Sequence, residues 1–309
     1  MLITTVAQII LVMLLWAACF PLITAGIEYA PHLTFAAVRA LVAGLSLTTL
    51  ALALRRPLPN GAAHWTMVAI VGFGATSLGF LGMFHAAEFV SPGIATVIAN
   101  TQPLLAALLG SMVLKERLTT RAMMGLMMGF VGILSIAAPR FVSEGQETYM
   151  LGVAYIILSA LGITVSNVVI KRIARKVDAL MAMGLQMLIG SVPLILIAGA
   201  TEDPASIQWS FTFVTVLISL SLFGTALVYW LWFSVLERVP LNQANAFSFL
   251  IPIFGLTIGG LLFDEALGWP ELIGIALAIF GVGLVSRHRN DNGSDHRQMT
   301  GGGTHSERT

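Results

Sequence analysis

The chain contains 309 residues, of which 57% are hydrophobic and only 10% are charged. A soluble domain carries about 25% charged residues, so this composition excludes an ordinary water-soluble fold and predicts a protein embedded in lipid. The formal net charge of +1 gives no electrostatic basis for a nucleic-acid partner, and the single cysteine excludes an intrachain disulfide and a multi-cysteine metal site.

Ten apolar runs follow one another along the chain, separated by short polar breaks. Most are close to the roughly 20 residues with which a helix crosses about 30 Å of hydrocarbon, and the fifth and tenth are the shortest. The runs cover residues 3–25, 33–54, 65–87, 93–114, 122–138, 150–170, 180–200, 209–236, 241–263 and 272–286. They predict an all-α integral membrane protein of ten transmembrane helices. Residues 288–309 are polar and rich in glycine, and we expect a disordered cytoplasmic tail there.

Lysine and arginine fall on one side of this arrangement. When the N-terminus is placed in the cytoplasm, 14 of the 16 basic residues lie in cytoplasmic segments, Arg140 lies outside, and Arg39 lies within the second run. Cytoplasmic loops of membrane proteins carry such an excess of basic residues. The asymmetry predicts that both termini are cytoplasmic. It also supports the count of ten, because one miscounted helix would destroy the alternation.

The most specific signal is an internal repeat at an offset of 149 residues. Eight identical pairs share this offset without a gap: Phe84/Phe233, Glu88/Glu237, Pro103/Pro252, Gly110/Gly259, Glu116/Glu265, Leu118/Leu267, Gly125/Gly274 and Gly132/Gly281. We therefore expect a first repeat at residues 1–140 and a second at 141–287. Because each repeat has five helices, the second is inverted in the membrane, which is typical of secondary transporters with a site near the midplane. Duplication for stability alone is the alternative.

The repeats also resemble a known family. The residues that carry the resemblance are Val90-Ser91-Pro92-Gly93, Pro103, Gly110 and Glu116-Arg117-Leu118-Thr119 in the first repeat, and Leu236-Glu237-Arg238-Val239-Pro240, Pro252 and Asp264-Glu265-Ala266-Leu267 in the second. They resemble the signature of the EamA branch of the drug/metabolite transporter superfamily. The sequence departs from that signature at Lys115 and Asp264, where a glycine commonly precedes the glutamate.

This resemblance implies a ten-helix exporter of amino acids or other metabolites, with a central cavity and with its fifth and tenth helices at the periphery. It also implies a multi-pass protein of the bacterial inner membrane, whose partners are a small-molecule substrate and the lipid bilayer. More narrowly, the chain looks like the YddG-type exporters, which are associated with aromatic amino acids.

Few polar side chains fall within the apolar runs, and an intramembrane polar group is a functional candidate by default. Asn100 and Asn167 lie near the middle of runs four and six, and His85 lies near the outer end of run three. We expect these three side chains to line a substrate cavity. The alternatives are a cross-helix hydrogen bond for each asparagine and simple proximity to water for His85.

Two further polar residues lie within runs two and seven. Arg39 is expected either to snorkel to the outer headgroups or to pair with Glu88 or Glu28 as part of an outer gate. Gln186 is expected mainly to hydrogen-bond a neighbouring helix.

Aromatic residues form a second group of cavity candidates. Trp16 and Phe20 are four residues apart in run one, Phe80 lies in run three, and Tyr229 and Trp230 lie in the middle of run eight. An aromatic ring in an apolar helix often packs or faces lipid, but the aromatic belt of a membrane protein lies at the interfaces, and these rings are deeper. Rings with a few amides suit an amphipathic, partly apolar solute.

Two prolines occupy equivalent positions in the repeats. Pro103 and Pro252 each fall inside an apolar run. A proline within a helix frees a carbonyl group and permits a kink, so we expect these two residues to act as hinges.

No aspartate or glutamate lies deep in any run. Ion-coupled transporters usually keep an intramembrane carboxylate, so we expect facilitated export or exchange, with His85 the candidate proton site near neutral pH. The sequence has no His-Glu-x-x-His zinc helix, no Gly-x-x-x-x-Gly-Lys phosphate loop and no Ser–His pair at a recognisable spacing. We therefore predict that the protein is not an enzyme and uses neither a cofactor nor a metal.

The patterns together predict a transporter that exports amino acids, aromatic ones among them, and related metabolites by alternating access. One alternative is an exporter of drugs or other metabolites in the same fold, and another is a channel or a non-transporting membrane scaffold. A nucleotide-sugar carrier would need several basic residues in its cavity to meet phosphates, and only Arg39 lies within a run.

Overall fold

The computed structural model of the protein describes residues 3–86, 89, 99, 102–116, 118–141, 146–263 and 268–286. Every regular element in these ranges is helical, and none of them is a strand. The predicted all-α class is therefore confirmed. The expected C-terminal tail, residues 288–309, lies outside the described ranges.

Ten helices lie in the described part of the chain, one for each predicted run. They are α1 Ile3–Ile27, α2 His32–Ala53, α3 Ala62–Ala86, α4 Gln102–Val113, α5 Thr120–Phe141, α6 Gln146–Ile173, α7 Ala179–Thr201, α8 Phe211–Leu236, α9 at 241–263 and α10 Trp269–Ser286. Six of them, α1, α2, α3, α6, α7 and α8, are long and apolar enough to cross a membrane. The helix α4 and residues 272–285 of α10 are shorter apolar helices.

Large apolar side chains cover the outside of the bundle. Leu52, Leu196, Phe223 and Phe280 are all exposed, as are many similar residues on other helices. Such a surface is stable against lipid tails, which are as apolar as the side chains themselves. Association of the helices then depends on close packing and interhelical hydrogen bonds, and small residues at the contacts allow both.

The contact between α5 and α10 shows this use of glycine. A methyl group on Gly125 would lie 2.7 Å from the carbonyl oxygen of Gly281, and one on Gly132 would lie 2.6 Å from that of Gly274. No side chain fits at these distances, so the two backbones touch directly. In the repeat of 149 residues, Gly125 corresponds to Gly274 and Gly132 to Gly281. The contact of Gly125 with Gly281 is therefore equivalent to the contact of Gly132 with Gly274.

The ends of α2 and α7 are joined by charged side chains. The Glu202 carboxylate, at the end of α7, accepts hydrogen bonds from the backbone N–H groups of Leu33 (3.0 Å) and Thr34 (2.7 Å) in the first turn of α2. At the opposite ends, Arg56 lies 3.8 Å from Asp178, which caps α7. Negative groups at helix N-termini also interact favourably with the helix dipole.

The Glu116 carboxylate joins the two halves at the start of α9. It accepts hydrogen bonds from the backbone N–H groups of Leu241 (2.7 Å) and Asn242 (3.2 Å). Gly110 lies beside this carboxylate, since a methyl group on Gly110 would be in ordinary contact with it at 3.7 Å. Lys171 binds the same loop from α6 by donating a hydrogen bond of 2.6 Å to the carbonyl oxygen of Val239.

Two helices contain a π-helical segment at equivalent positions. The segments are Gly72–Leu78 in α3 and Leu222–Leu227 in α8. When 149 is added to the residue numbers of the first segment, it covers the second segment and one additional residue before it. Segments of this kind occur frequently at functional sites in helical proteins, because the wider turn redirects the side chains near it.

The prolines predicted as hinges, Pro103 and Pro252, both lie within described helices. Pro103 is the second residue of α4, and Pro252 follows the 3₁₀ turn Phe247–Phe249 that interrupts α9. Both prolines are buried. Their proposed role as hinges depends on motion and stays a prediction.

Candidate functional site

A cavity opens between the helices. The lining residues belong to α1, α2, α3 and α4 in the first half of the sequence and to α6, α8 and α9 in the second half. The polar and aromatic lining residues are Trp16, Cys19, Arg39, Phe80, Phe84, Gln102, Ser159, Asn167, Tyr229, Trp232, Asn245 and Ser248. The helices α5 and α10 contribute none of the described lining residues.

Three aromatic rings form one wall of the cavity. The ring of Trp16 packs against Trp232, with centroids 5.4 Å apart, and meets Tyr229 edge to face at 6.2 Å. Tyr229 and Trp232 are three residues apart on α8, so they lie on the same side of that helix. The wall therefore combines α1 and α8, one helix from each half.

A chain of side-chain amides continues from this wall. The indole Nε1 of Trp232 donates a hydrogen bond of 2.9 Å to the side-chain oxygen Oδ1 of Asn167. The amide of Asn167 donates to Asn245 Oδ1 at 3.4 Å, and Asn245 in turn donates to the backbone carbonyl of Leu241 at 3.0 Å. Asn167 thus lines the cavity and also makes the cross-helix bond that was the alternative reading of its sequence position.

Arg39 is buried in the cavity wall, with 4% of its surface exposed. Its Nε donates a hydrogen bond of 2.7 Å to Thr225 Oγ1, and its Nη2 contacts the carbonyl of Gly224 at 3.4 Å. The guanidinium carbon lies 4.9 Å from the centre of the Phe80 ring. The expected snorkelling is therefore wrong, because neutral groups on α3 and α8 hold the side chain inside the bundle. Within the described residues no ion pair joins Arg39 to Glu28, and Glu88 lies outside them.

His85 lies away from the central cavity, in a second pocket. Its Nδ1 is 3.1 Å from His32 Nε2, and the other nitrogen of His32 is 3.3 Å from Glu202. The ring of Tyr155 packs edge to face on His85 at 4.6 Å. The last turn of α3 places His85 beyond Phe84, and this explains why it joins the helix ends instead of the cavity lining.

The remaining predicted cavity residues have different outcomes. Phe80 and Tyr229 line the cavity beside Trp16. Trp230 does not, because it points about 100° away from Tyr229 on α8 and is 38% exposed. Phe20 belongs to α1, but its side chain lies outside the described residues, as does the whole of Asn100.

Sequence analysis missed the lining residues Trp232 and Asn245, and it also missed Thr225, which contacts the lining residue Arg39. Trp232 and Asn245 complete the amide chain, and Thr225 orients Arg39. One signal for Trp232 was available, because it follows Tyr229 by three residues on a single helix face. No group of three or more His, Cys, Asp or Glu side chains within the described ranges could hold a metal ion.

Comparison with known proteins identifies the family of the chain. A family model described as the EamA-like transporter family matches residues 3–138 and 150–287. Relatives include a transporter of Bacillus subtilis, YvbV, with 27% identity over 88% of this chain and 88% of its own length. A probable amino-acid metabolite efflux pump of Salmonella typhimurium is 25% identical over 88% of this chain and 91% of its own length.

A WAT1-related chloroplast protein of Arabidopsis thaliana is 30% identical over 81% of this chain. The chain spans 62% of the length of that relative. A solved crystal structure superimposes with a TM-score of 0.77 at 20% sequence identity, covering 92% of this chain and 96% of its own chain. This last similarity supports the fold.

Proposed function

The chain belongs to the EamA-like transporter family, a family of transporters and not of enzymes, and we propose that it exports amino acids and related small metabolites from the cytoplasm. The observation that carries the proposal is the central cavity, which combines an aromatic wall with amides and draws on helices from both halves. A cavity with this lining suits a solute that has an apolar body and a few polar groups.

The proposed mechanism is alternating access between two inverted repeats, residues 1–140 and 141–287. The two stretches matched by the family model, the exchangeable glycine contacts of α5 and α10, and the paired π-helical segments all support this symmetry. Two related halves can exchange conformations, so the same cavity can open first to one side of the membrane and then to the other.

We further propose that the protein lies in a bacterial inner membrane with both termini in the cytoplasm. The support is the distribution of lysine and arginine, together with the bacterial relatives. Export is proposed to run down the solute gradient, because none of the described residues that line the cavity is an aspartate or a glutamate.

The substrate is proposed from the cavity and from one relative. The Salmonella relative is named as a probable amino-acid metabolite efflux pump, and the wall of Trp16, Tyr229 and Trp232 favours aromatic amino acids, as in the YddG-type exporters. The second candidate is export of drugs or other metabolites by the same cavity. It is favoured by the apolar share of the lining, which includes Ile163, Ile251 and Met83.

The test is counterflow in proteoliposomes containing the purified full chain. Vesicles loaded with one unlabelled amino acid at a time are diluted into its labelled form, and a panel of aromatic, small and charged amino acids is compared. Saturable counterflow of aromatic amino acids is the expected result. Non-saturable flux would indicate a channel, flux of other solutes alone would select the second candidate, and no flux of any solute would overturn the transport function.

A further inference from the structure

We propose that Arg39 binds the carboxylate of the transported solute, so that the cavity selects monocarboxylates with an aromatic or apolar body. This inference rests on the proposed transport function and names the substrate class for the same cavity. It depends on charge, on geometry and on the chemistry of the surrounding wall.

The charge of Arg39 has no counterpart in the described lining of the cavity. None of the other described lining residues is Lys, Asp or Glu, and the groups bonded to the guanidinium are a threonine hydroxyl, a backbone carbonyl and the Cys19 sulfur. A buried charge in a protein is normally paired, because an isolated one is costly to desolvate. An anion that enters and leaves with each transport cycle would supply the pairing.

The orientation of the guanidinium suits such a ligand. The hydrogen bonds described for Arg39 use Nε, toward Thr225, and Nη2, toward Gly224 and Cys19; none of those described uses Nη1. Phe80 lies against one face of the group. Neutral contacts therefore fix the guanidinium while leaving donor capacity for a carboxylate, which arginine binds through a rigid, planar fork.

The rest of the cavity accounts for the body of the solute but offers little to an ammonium group. Trp16, Tyr229 and Trp232 provide rings for an aromatic body, and the amides of Asn167 and Asn245 are already bonded to one another. Because no described lining residue is a carboxylate, an α-ammonium would have only neutral partners. The site should therefore accept 3-phenylpropionate at least as well as phenylalanine, and both far better than 2-phenylethylamine.

These three compounds share a phenylethyl skeleton and differ in their charged groups, so they form a matched set of probes. Their binding to the purified full chain in lipid nanodiscs is measured by calorimetry and by quenching of tryptophan fluorescence. The expected order of affinity is 3-phenylpropionate, then phenylalanine, with 2-phenylethylamine weakest by about tenfold or more, which is the ratio expected for a charge-assisted hydrogen bond. Equal or tighter binding of the amine by the unmodified protein would overturn the proposal without any variant.

Variants then assign the effect to Arg39. Arg39→Gln should weaken 3-phenylpropionate about tenfold or more while leaving 2-phenylethylamine within about twofold, and Arg39→Lys should restore part of the loss. Arg56→Gln is the matched control, since Arg56 lies at the end of α2 with about half of its side chain exposed. Unchanged acid binding by a well-folded Arg39→Gln protein would reject the assignment.

Counterflow with the same probes separates this inference from the proposed function. If the protein transports amino acids but Arg39→Gln leaves the preference for the acid intact, the Arg39 assignment fails and transport stands. If the acid binds in an Arg39-dependent way but no solute is transported, the binding site stands and the proposed transport function fails.

Discussion

Thr76 and Thr225 lie 149 positions apart, and each is the residue of its π-helical segment that bonds a polar side chain on a neighbouring helix. Thr225 on α8 accepts a hydrogen bond of 2.7 Å from Arg39 on α2, and Thr76 on α3 donates one of 2.9 Å to Gln186 on α7. The two halves thus make equivalent hydrogen bonds, but the partner of the threonine is the cation of Arg39 in one case and the amide of Gln186 in the other. Of the two, only Arg39 lines the cavity.

This pair provides a matched test of how Arg39 is positioned. Thr225→Val removes the acceptor of the Arg39 Nε bond, and we expect the KM for a carboxylate solute to rise about three- to tenfold. Thr76→Val breaks the equivalent bond away from the cavity and should leave KM within about twofold. Thr225→Val removes two buried hydrogen bonds, because the Thr225 hydroxyl also donates to the Leu220 carbonyl oxygen (3.0 Å), whereas Thr76→Val removes one. At about 1–3 kcal/mol per bond, Thr225→Val should also lower stability more than Thr76→Val. Equal effects on KM, measured by counterflow, would contradict the prediction.

The aromatic wall is tested by changing Trp232 of α8 and Trp16 of α1, with Trp230 of α8 as the control. Trp232→Phe keeps a ring but removes the N–H that binds Asn167, and Trp16→Ala removes the facing ring. Both should reduce export of aromatic amino acids more than that of alanine or serine, by about fivefold or more. Trp230→Ala is the control, because Trp230 faces outward, and it should export normally. A defect in Trp230→Ala alone would place the working face of α8 on the other side.

The contact of α5 with α10 predicts a large difference between neighbouring glycines. A methyl group on Gly281 would collide with the carbonyl of Gly125, whereas one on Gly283 would meet nothing within 4 Å. Gly281→Ala should therefore lower the apparent melting temperature by several degrees, and Gly283→Ala should leave it unchanged or slightly raised, since alanine favours helix. Thermal stability is followed by size-exclusion chromatography of heated, detergent-solubilised protein. Equal melting temperatures would show that the helices are not in direct contact.

Labelling of single cysteines tests the membrane orientation. In a Cys19→Ala background, a cysteine at Gln146 should react with a membrane-impermeant maleimide in intact cells, and one at Lys176 should react only after the membrane is opened. The two positions lie at opposite ends of α6. The reverse pattern would place the termini outside and would contradict the proposed orientation.

The absence of carboxylates from the described cavity lining predicts transport without an imposed ion gradient. Counterflow should proceed at equal pH and equal sodium on both sides, and His85→Gln should retain at least about half of the rate. His85 is bonded to the His32 and Glu202 cluster at the helix ends, which makes it the critical residue for this test. A strict requirement for a pH or sodium gradient would refute facilitated export.

The sequence was sufficient to predict the helices, because length and hydropathy determine which segments can cross a bilayer. The positions of side chains around each helix were harder to predict. The helices are apolar on nearly all sides, so composition does not distinguish a lipid-facing ring such as Trp230 from a cavity ring such as Trp232. Only the packing of α1 against α8 makes that distinction.

The surroundings of the polar residue Arg39 were equally hard to predict from the sequence. Its sequence position allowed snorkelling or pairing with an acid, since both are common ways to accommodate an intramembrane cation. The observed partner, Thr225, is 186 positions away and was not considered as a polar candidate, because threonine is frequent in apolar helices. A hydrogen bond over such a separation depends on the tertiary fold and leaves no local pattern in the sequence.

The hydrogen bonds of Glu116 to the start of α9 have a consequence for the energetics of opening. The bonded carboxylate lies near the chain's polar loops, so water would solvate it if α9 moved away in the proposed alternating-access cycle. An exchange of protein hydrogen bonds for water hydrogen bonds costs only about 0.5–1.5 kcal/mol per neutral bond, and about 1.5–3 kcal/mol when one group is charged. In the proposed alternating-access cycle, Glu116 would therefore hold this end of α9 in place without trapping it, so that binding of a small solute could shift the populations of the two states.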